Sequence, residues 1–108
     1  MADERLLANL WATIQSRKIG PPRSPSYTKE LLTVPPAIRR NIIEEAYEVK
    51  EAHQALQAGN DSKSHLAEEA ADLLYHLLVL LASAAVAASE VHGILERRHA
   101  AAARPKAP

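Results

Sequence analysis

Apolar residues return every three or four positions through most of this chain, the period of an α-helix with one face turned to a core. Leu6, Leu7, Leu10, Trp11 and Ile14 form the first such stripe and predict a helix over about Asp3 to Arg17. Ile38, Ile42, Ala46, Val49, His53 and Leu56 form the second, over about Pro36 to Ala58. The third, Leu66, Ala70, Leu73, Leu74, Leu77, Leu80, Leu81 and Ala84, predicts a helix capped at Asp61, Ser62 or Ser64 and running to about Val86. From Leu73 onward this helix is apolar all round, which marks burial on several sides. In so short a chain that implies a subunit interface. Val91, Ile94 and Leu95 mark a fourth long helix, with Ser89 as its cap and Arg97, Arg98 and His99 near the end where the dipole favours cations.

The breaks between stripes are equally readable. Lys18 to Ser26 carries three prolines and a glycine and has to be a loop. Tyr27 to Thr33 has room for one or two helical turns, with Ser26 as a possible cap, before Val34-Pro35-Pro36 interrupts the chain. Ala58-Gly59-Asn60-Asp61 is the strongest helix stop and turn. No period-two alternation of the strand type occurs. The expected fold is all-α: a helical hairpin within a bundle of four to five helices, completed by dimerisation. A single domain spans residues 1–99, followed by a frayed Ala/Pro-rich tail over 100–108.

Composition narrows the function classes. At 108 residues, with 47% hydrophobic residues but only 4% aromatic and no Phe, the core is built from Ala and Leu and is small. The 13 basic and 13 acidic residues cancel, which removes the broad basic field of a nucleic-acid binder. Without cysteine, disulfides, thiolate catalysis and Cys-type zinc sites are excluded. The start of the chain lacks a signal-peptide layout. The most apolar run, Leu73 to Ala88, is too short to span a bilayer and contains Tyr75, His76 and Ser83. A soluble, cytoplasmic protein without membrane contact is expected.

One pattern carries chemistry. Glu44-Glu45-Ala46-Tyr47-Glu48-Val49 recurs as Glu68-Glu69-Ala70-Ala71-Asp72-Leu73, and the Gly59 turn lies midway between the copies. A hairpin folded at that turn brings up to five carboxylates together from facing helices. Like charges three or four apart destabilise an isolated helix by about 0.2 to 0.5 kcal/mol per pair, and a second acidic pair across the hairpin adds to this cost. A hard divalent cation removes it. Oxygen-only ligation suits Mg²⁺, with Mn²⁺ possible, rather than zinc. A solvated acidic surface is the alternative for either copy alone; the matched pair about a turn favours the metal. The acids sit on helices, unlike the Asp-rich loop of a calcium site. Arg17, Lys18, Arg23, Lys29, Arg39 and Arg40 all precede the acidic repeat, so one half of the chain can hold phosphate while the other holds metal. No Gly-x-x-x-x-Gly-Lys-Ser/Thr loop is present, which excludes a P-loop hydrolase. Among other tempting residues, His76 reads as a buried, hydrogen-bonded packing histidine and Trp11 as a core or interface anchor. No two of His53, His65, His92 and His99 stand three or four apart, so none is assigned a role.

Glu44-Glu45-x-x-Glu48, followed after 20 residues by Glu69-x-x-Asp72, resembles the signature of the all-α, MazG-like nucleotide pyrophosphohydrolases. Within that superfamily, Ser26-Tyr27-Thr28 after a Pro-rich basic loop and the run Glu68 to Leu81 look like the phosphoribosyl-ATP pyrophosphohydrolase family of histidine biosynthesis. The likeness covers about Leu10 to His99. It implies Mg²⁺-dependent hydrolysis of the α–β phosphoanhydride of phosphoribosyl-ATP, giving phosphoribosyl-AMP and pyrophosphate, by a helical homodimer with its sites near the subunit interface. Carried over by position, it makes Glu45, Glu48, Glu69 and Asp72 metal ligands, and Glu44 a supporting group or the base that activates water. Arg17, Lys18, Arg23 and Lys29 become phosphate contacts, with Tyr27 shaping the pocket for the nucleotide substrate. Asn41, Ile43 and Glu30 depart from the Lys, Gly and basic residue usual at those places, which bears on the substrate more than on the metal. A MazG-like enzyme with another nucleotide substrate, or a non-catalytic helical dimer, are the alternative readings.

Overall fold

The computed structural model describes residues 5–19 and 27–103, and side chains within these except at residues 18, 19, 27, 29, 30 and 103. Five α-helices account for nearly all of it: α1 (Leu6–Ile19), α2 (Tyr27–Thr33), α3 (Pro35–Gln57), α4 (Lys63–Ser83) and α5 (Ala88–Ala103). No strand occurs among the described residues. The all-α expectation holds.

The antiparallel hairpin of α3 and α4 is the frame of the molecule, with α1 and α2 packed across its open end. Its turn is built by local rules. Past the C-cap Ala58, Gly59 takes φ +80, its N–H donates to Leu56 O at 3.0 Å, and the Asn60 N–H donates to Ala55 O at 2.8 Å. This is a Schellman closure, whose left-handed residue favours glycine. Ser62 then caps α4, accepting the His65 backbone N–H on its hydroxyl at 3.1 Å.

The core lies at the end of the hairpin away from this turn: Ile14 of α1, Leu31 of α2, Ile38 of α3, and Leu78, Val79 and Ala82 of α4. Trp11 packs against its edge, as an anchor residue should. Two expected stripes shift by a residue. On α3, Ala52 is buried and His53 exposed, while Ala46 is also exposed. On α4, the buried face is Leu78, Val79 and Ala82, and Ala70, Leu74, Leu77 and Ala84 face outward. A one-residue offset turns a helix position by about 100°, and Ala-rich faces give the apolar pattern little power to choose between neighbours.

Several ends also differ from expectation. α1 starts at Leu6 rather than Asp3, which lies outside the described residues, and runs on to Ile19. α4 stops at Ser83, short of Val86, because Ala85 takes φ +57 and closes a second Schellman turn. α5 begins at Ala88, so Ser89 is inside the helix rather than its cap. The tail expected to fray from Ala100 stays helical to Ala103; residues 104–108 lie outside the described residues. Ser26, the possible cap of α2, also lies outside them.

Candidate metal centre

The acidic repeat converges where the hairpin geometry places it. One carboxylate oxygen from each of Glu45, Glu48 and Glu69 lies within 4.8 Å of the others. Helix α3 supplies two of them one turn apart, and α4 supplies the third from the opposite side. Glu45 and Glu69 are half-buried and Glu48 is exposed, so the trio stands at the rim of the helix pair, open on one side.

Among the described residues, the electrostatics are those of acids crowded by other acids. Burial raises the Glu45 carboxyl above its ordinary value near 4.5, and the neighbouring Glu48 and Asp72 charges push the same way against an opposing influence of His76. Glu48 is raised chiefly by sharing a hydrogen-bonding contact with Glu69, then by burial and the Glu69 and Asp72 charges. Glu45 Oε2 and Glu69 Oε2 are buried and have no hydrogen-bond partner among the described residues. Two orphaned carboxylate oxygens in one cluster are costly unless a cation or a proton meets them. The donor set, all oxygen and all carboxylate, fits a hard divalent ion.

The trio has a neighbour that the sequence reading passed over. His65, one turn before Glu69 on α4, brings Nε2 to 3.1 Å from Glu69 Oε1 and Nδ1 to 2.6 Å from Asp61 Oδ2. Carboxylates only accept, so the ring donates at both ends. Its pKa is raised, first by the Asp61 hydrogen bond and charge, and Asp61 is lowered, first by the same bond and then by the Ser62 backbone N–H. The signal was present as Asp61-x-x-x-His65-x-x-x-Glu69, acid, base and acid at four-residue spacing. A search of histidines against other histidines misses it.

A sequence model of the phosphoribosyl-ATP pyrophosphohydrolase family matches residues 7–99. The chain belongs to that family. Among its relatives, proteins named phosphoribosyl-ATP pyrophosphatase are 44% identical over 93 residues in Caulobacter vibrioides (strain NA1000 / CB15N), covering 86% of this chain and 81% of the relative. The one from Dinoroseobacter shibae is 42% identical over 93 residues, covering 86% of each chain. A third, from Pyrobaculum arsenaticum, is 43% identical over 83 residues, covering 76% of this chain and 83% of its own.

The two segments that carry this family's likeness touch in the fold. The buried Thr28 hydroxyl, at the start of α2, is hydrogen-bonded to the Tyr75 hydroxyl on α4. His76 is buried, its Nδ1–H donating to Asp72 O at 2.8 Å, so its packing role holds and it also steadies the turn of α4 that carries Asp72. Asp72 itself stands outside the trio, close enough for its charge to act on Glu45 and Glu48. Glu44 is exposed on α3. Arg17 is exposed near the end of α1. Arg23 lies outside the described residues, as do the side chains of Lys18, Tyr27 and Lys29.

Proposed function

We propose that this chain hydrolyses the α–β phosphoanhydride of phosphoribosyl-ATP to phosphoribosyl-AMP and pyrophosphate, in the cytoplasm, as a Mg²⁺-dependent homodimer (Mn²⁺ serving in its place). The observation that carries the reading is the convergence of Glu45, Glu48 and Glu69, with two buried orphan oxygens, in a chain of this family. Those three residues would hold the ion, with Asp72 the nearest further carboxylate. When bound, the ion neutralises phosphate oxygens and makes a bound water more acidic.

The residues of the chain account for the remaining work. A carboxylate left free by the ion, with Glu44 the foremost candidate, accepts the proton of the attacking water. The water oxygen forms the new bond to phosphorus, the anhydride P–O bond breaks, and pyrophosphate leaves with the bonding pair. Arg17, Lys18, Arg23 and Lys29 are assigned to the substrate phosphates, and Tyr27 to the pocket wall. The dimer is supported by large apolar side chains left uncovered on the hairpin, among them Ile43 (72% exposed), Tyr47 (59%), Leu74 (43%) and Leu77 (40%). No single helix among the described residues is long and apolar enough to cross a membrane.

A pyrophosphate-release assay over phosphoribosyl-ATP and the common nucleoside triphosphates, with and without Mg²⁺, tests the reading. Turnover confined to phosphoribosyl-ATP and dependent on Mg²⁺ is the expected result. Release from ordinary triphosphates alone would move the chain to another substrate, and no release from any nucleotide would leave a non-catalytic dimer.

A further inference from the structure

The trio is built with one asymmetry. Glu69 divides its two oxygens: Oε1 is taken by His65 Nε2 at 3.1 Å, and Oε2 is buried with no partner among the described residues. His65 is in turn fixed from its other side by Asp61, at 2.6 Å from Nδ1. Asp61 is itself anchored, its Oδ1 accepting the Ser62 backbone N–H at 2.7 Å at the capped start of α4. The chain of contacts therefore runs from the helix cap through two side chains to a carboxylate of the trio. An unclamped glutamate rotates about three side-chain bonds, and holding one oxygen in place removes most of that freedom.

We propose that His65 is a positioning residue for the metal centre: braced by Asp61, it occupies Oε1 of Glu69 and so presents Oε2 as the single oxygen that faces the cation. This rests on the carboxylate trio being a metal site and goes beyond it by assigning a role outside the acidic signature. Glu48 and Glu69 place a carboxylate oxygen within 4.8 Å of each other, and His65 meets Glu69 at Oε1. Hydrogen bonds to the outer side of metal-binding groups are worth roughly 10- to 100-fold in affinity when removed.

Mn²⁺ binding to the purified full chain, followed by electron paramagnetic resonance of the free ion, reads this directly and without turnover. Four proteins are compared: the unaltered chain, His65→Leu, His65→Gln and Glu48→Gln, each checked for helicity by circular dichroism. His65→Leu is expected to bind Mn²⁺ about 10-fold more weakly. His65→Gln keeps an N–H donor near the place of Nε2 and is expected to recover most of that loss. Glu48→Gln is expected to bind no Mn²⁺ in the same range. If Glu48→Gln fails to bind while His65→Leu binds like the unaltered chain, the clamp is wrong and the metal site stands. Equal weakening in the Leu and Gln variants also overturns the clamp, because the hydrogen bond would then not be the cause. Undiminished binding by Glu48→Gln overturns the metal site itself.

Discussion

Glu48 is the residue at which stability and function pull apart. It stands between Glu45 and Glu69, and both it and Glu45 have pKa values raised above the ordinary value near 4.5. A raised folded-state pKa means that the fold favours the protonated acid. The stability contribution is then fully present below the unfolded value and is lost as pH rises through the folded one. Metal-free protein at neutral pH carries that penalty, and Glu48→Gln should relieve it. In EDTA, the melting temperature of Glu48→Gln is expected to exceed that of the unaltered chain at pH 7, with the gap narrowing as pH falls through the raised folded-state value and gone below about 4.5. If Glu48 is a ligand of the proposed metal, pyrophosphate release by the same variant should fall by about 100-fold or more, since a direct ligand would matter at least as much as the groups behind it. A variant that melts lower in EDTA at every pH would contradict the like-charge account. His65, by contrast, was legible only as a pattern with acids, and only the folded distances show that its two nitrogens are both engaged.

At the scale of elements, the hairpin end and the end of α4 use the same closure with different residues. After α3, Gly59 occupies the left-handed position at φ +80; after α4, Ala85 occupies it at φ +57, with its N–H on Ala82 O at 3.1 Å and the Val86 N–H on Leu81 O at 2.9 Å. Alanine meets its own Cβ against the following carbonyl there, at a cost of about 1 kcal/mol. Ala85→Gly should therefore stabilise the protein by about that amount and raise its melting temperature by about 4 °C. Urea denaturation followed by circular dichroism measures it, and an unchanged or lower midpoint would show that the turn is relaxed as it stands. The element boundaries nearest Gly59 and Pro35 were readable within a residue because backbone chemistry sets them. The end of α4 was not, since nothing about Ala85 in the sequence announces a left-handed turn.

The whole molecule is extended for its size. Its radius of gyration is 17.0 Å, where a compact chain of this length has about 13 Å. Its fully buried apolar set is small, and α5 makes only sparse contacts with the rest of the described residues. Leu74 and Leu77 lie on the same helix as the buried Leu78, Val79 and Ala82, so α4 has an inner apolar face and an outer one. In the proposed dimer, a second chain would cover the outer face. If the proposed dimer forms through this face, Leu74→Glu with Leu77→Glu should yield a monomer in sedimentation velocity. It should also make the melting temperature independent of protein concentration. A chain that already sediments as a monomer before substitution would refute the dimer.

The sequence by itself determined the helices, the turn at Gly59, and the matching heights of the two acidic clusters. These depend only on the helical period and on residues whose backbone preferences are strong. It also placed the chain in its family, through acids at fixed spacing. The tertiary structure decided what spacing leaves open. It drew Glu45, Glu48 and Glu69 into one trio while leaving Asp72 at its edge, because side-chain reach across a helix pair depends on rotation as well as height. It buried Ala52 in place of His53 and turned Leu74 and Leu77 outward, because an apolar stripe of small and similar residues does not fix a helix's rotation to within one position. It gave His65 its partners, because a hydrogen bond is a matter of ångströms and the period of a helix settles only which residues share a face.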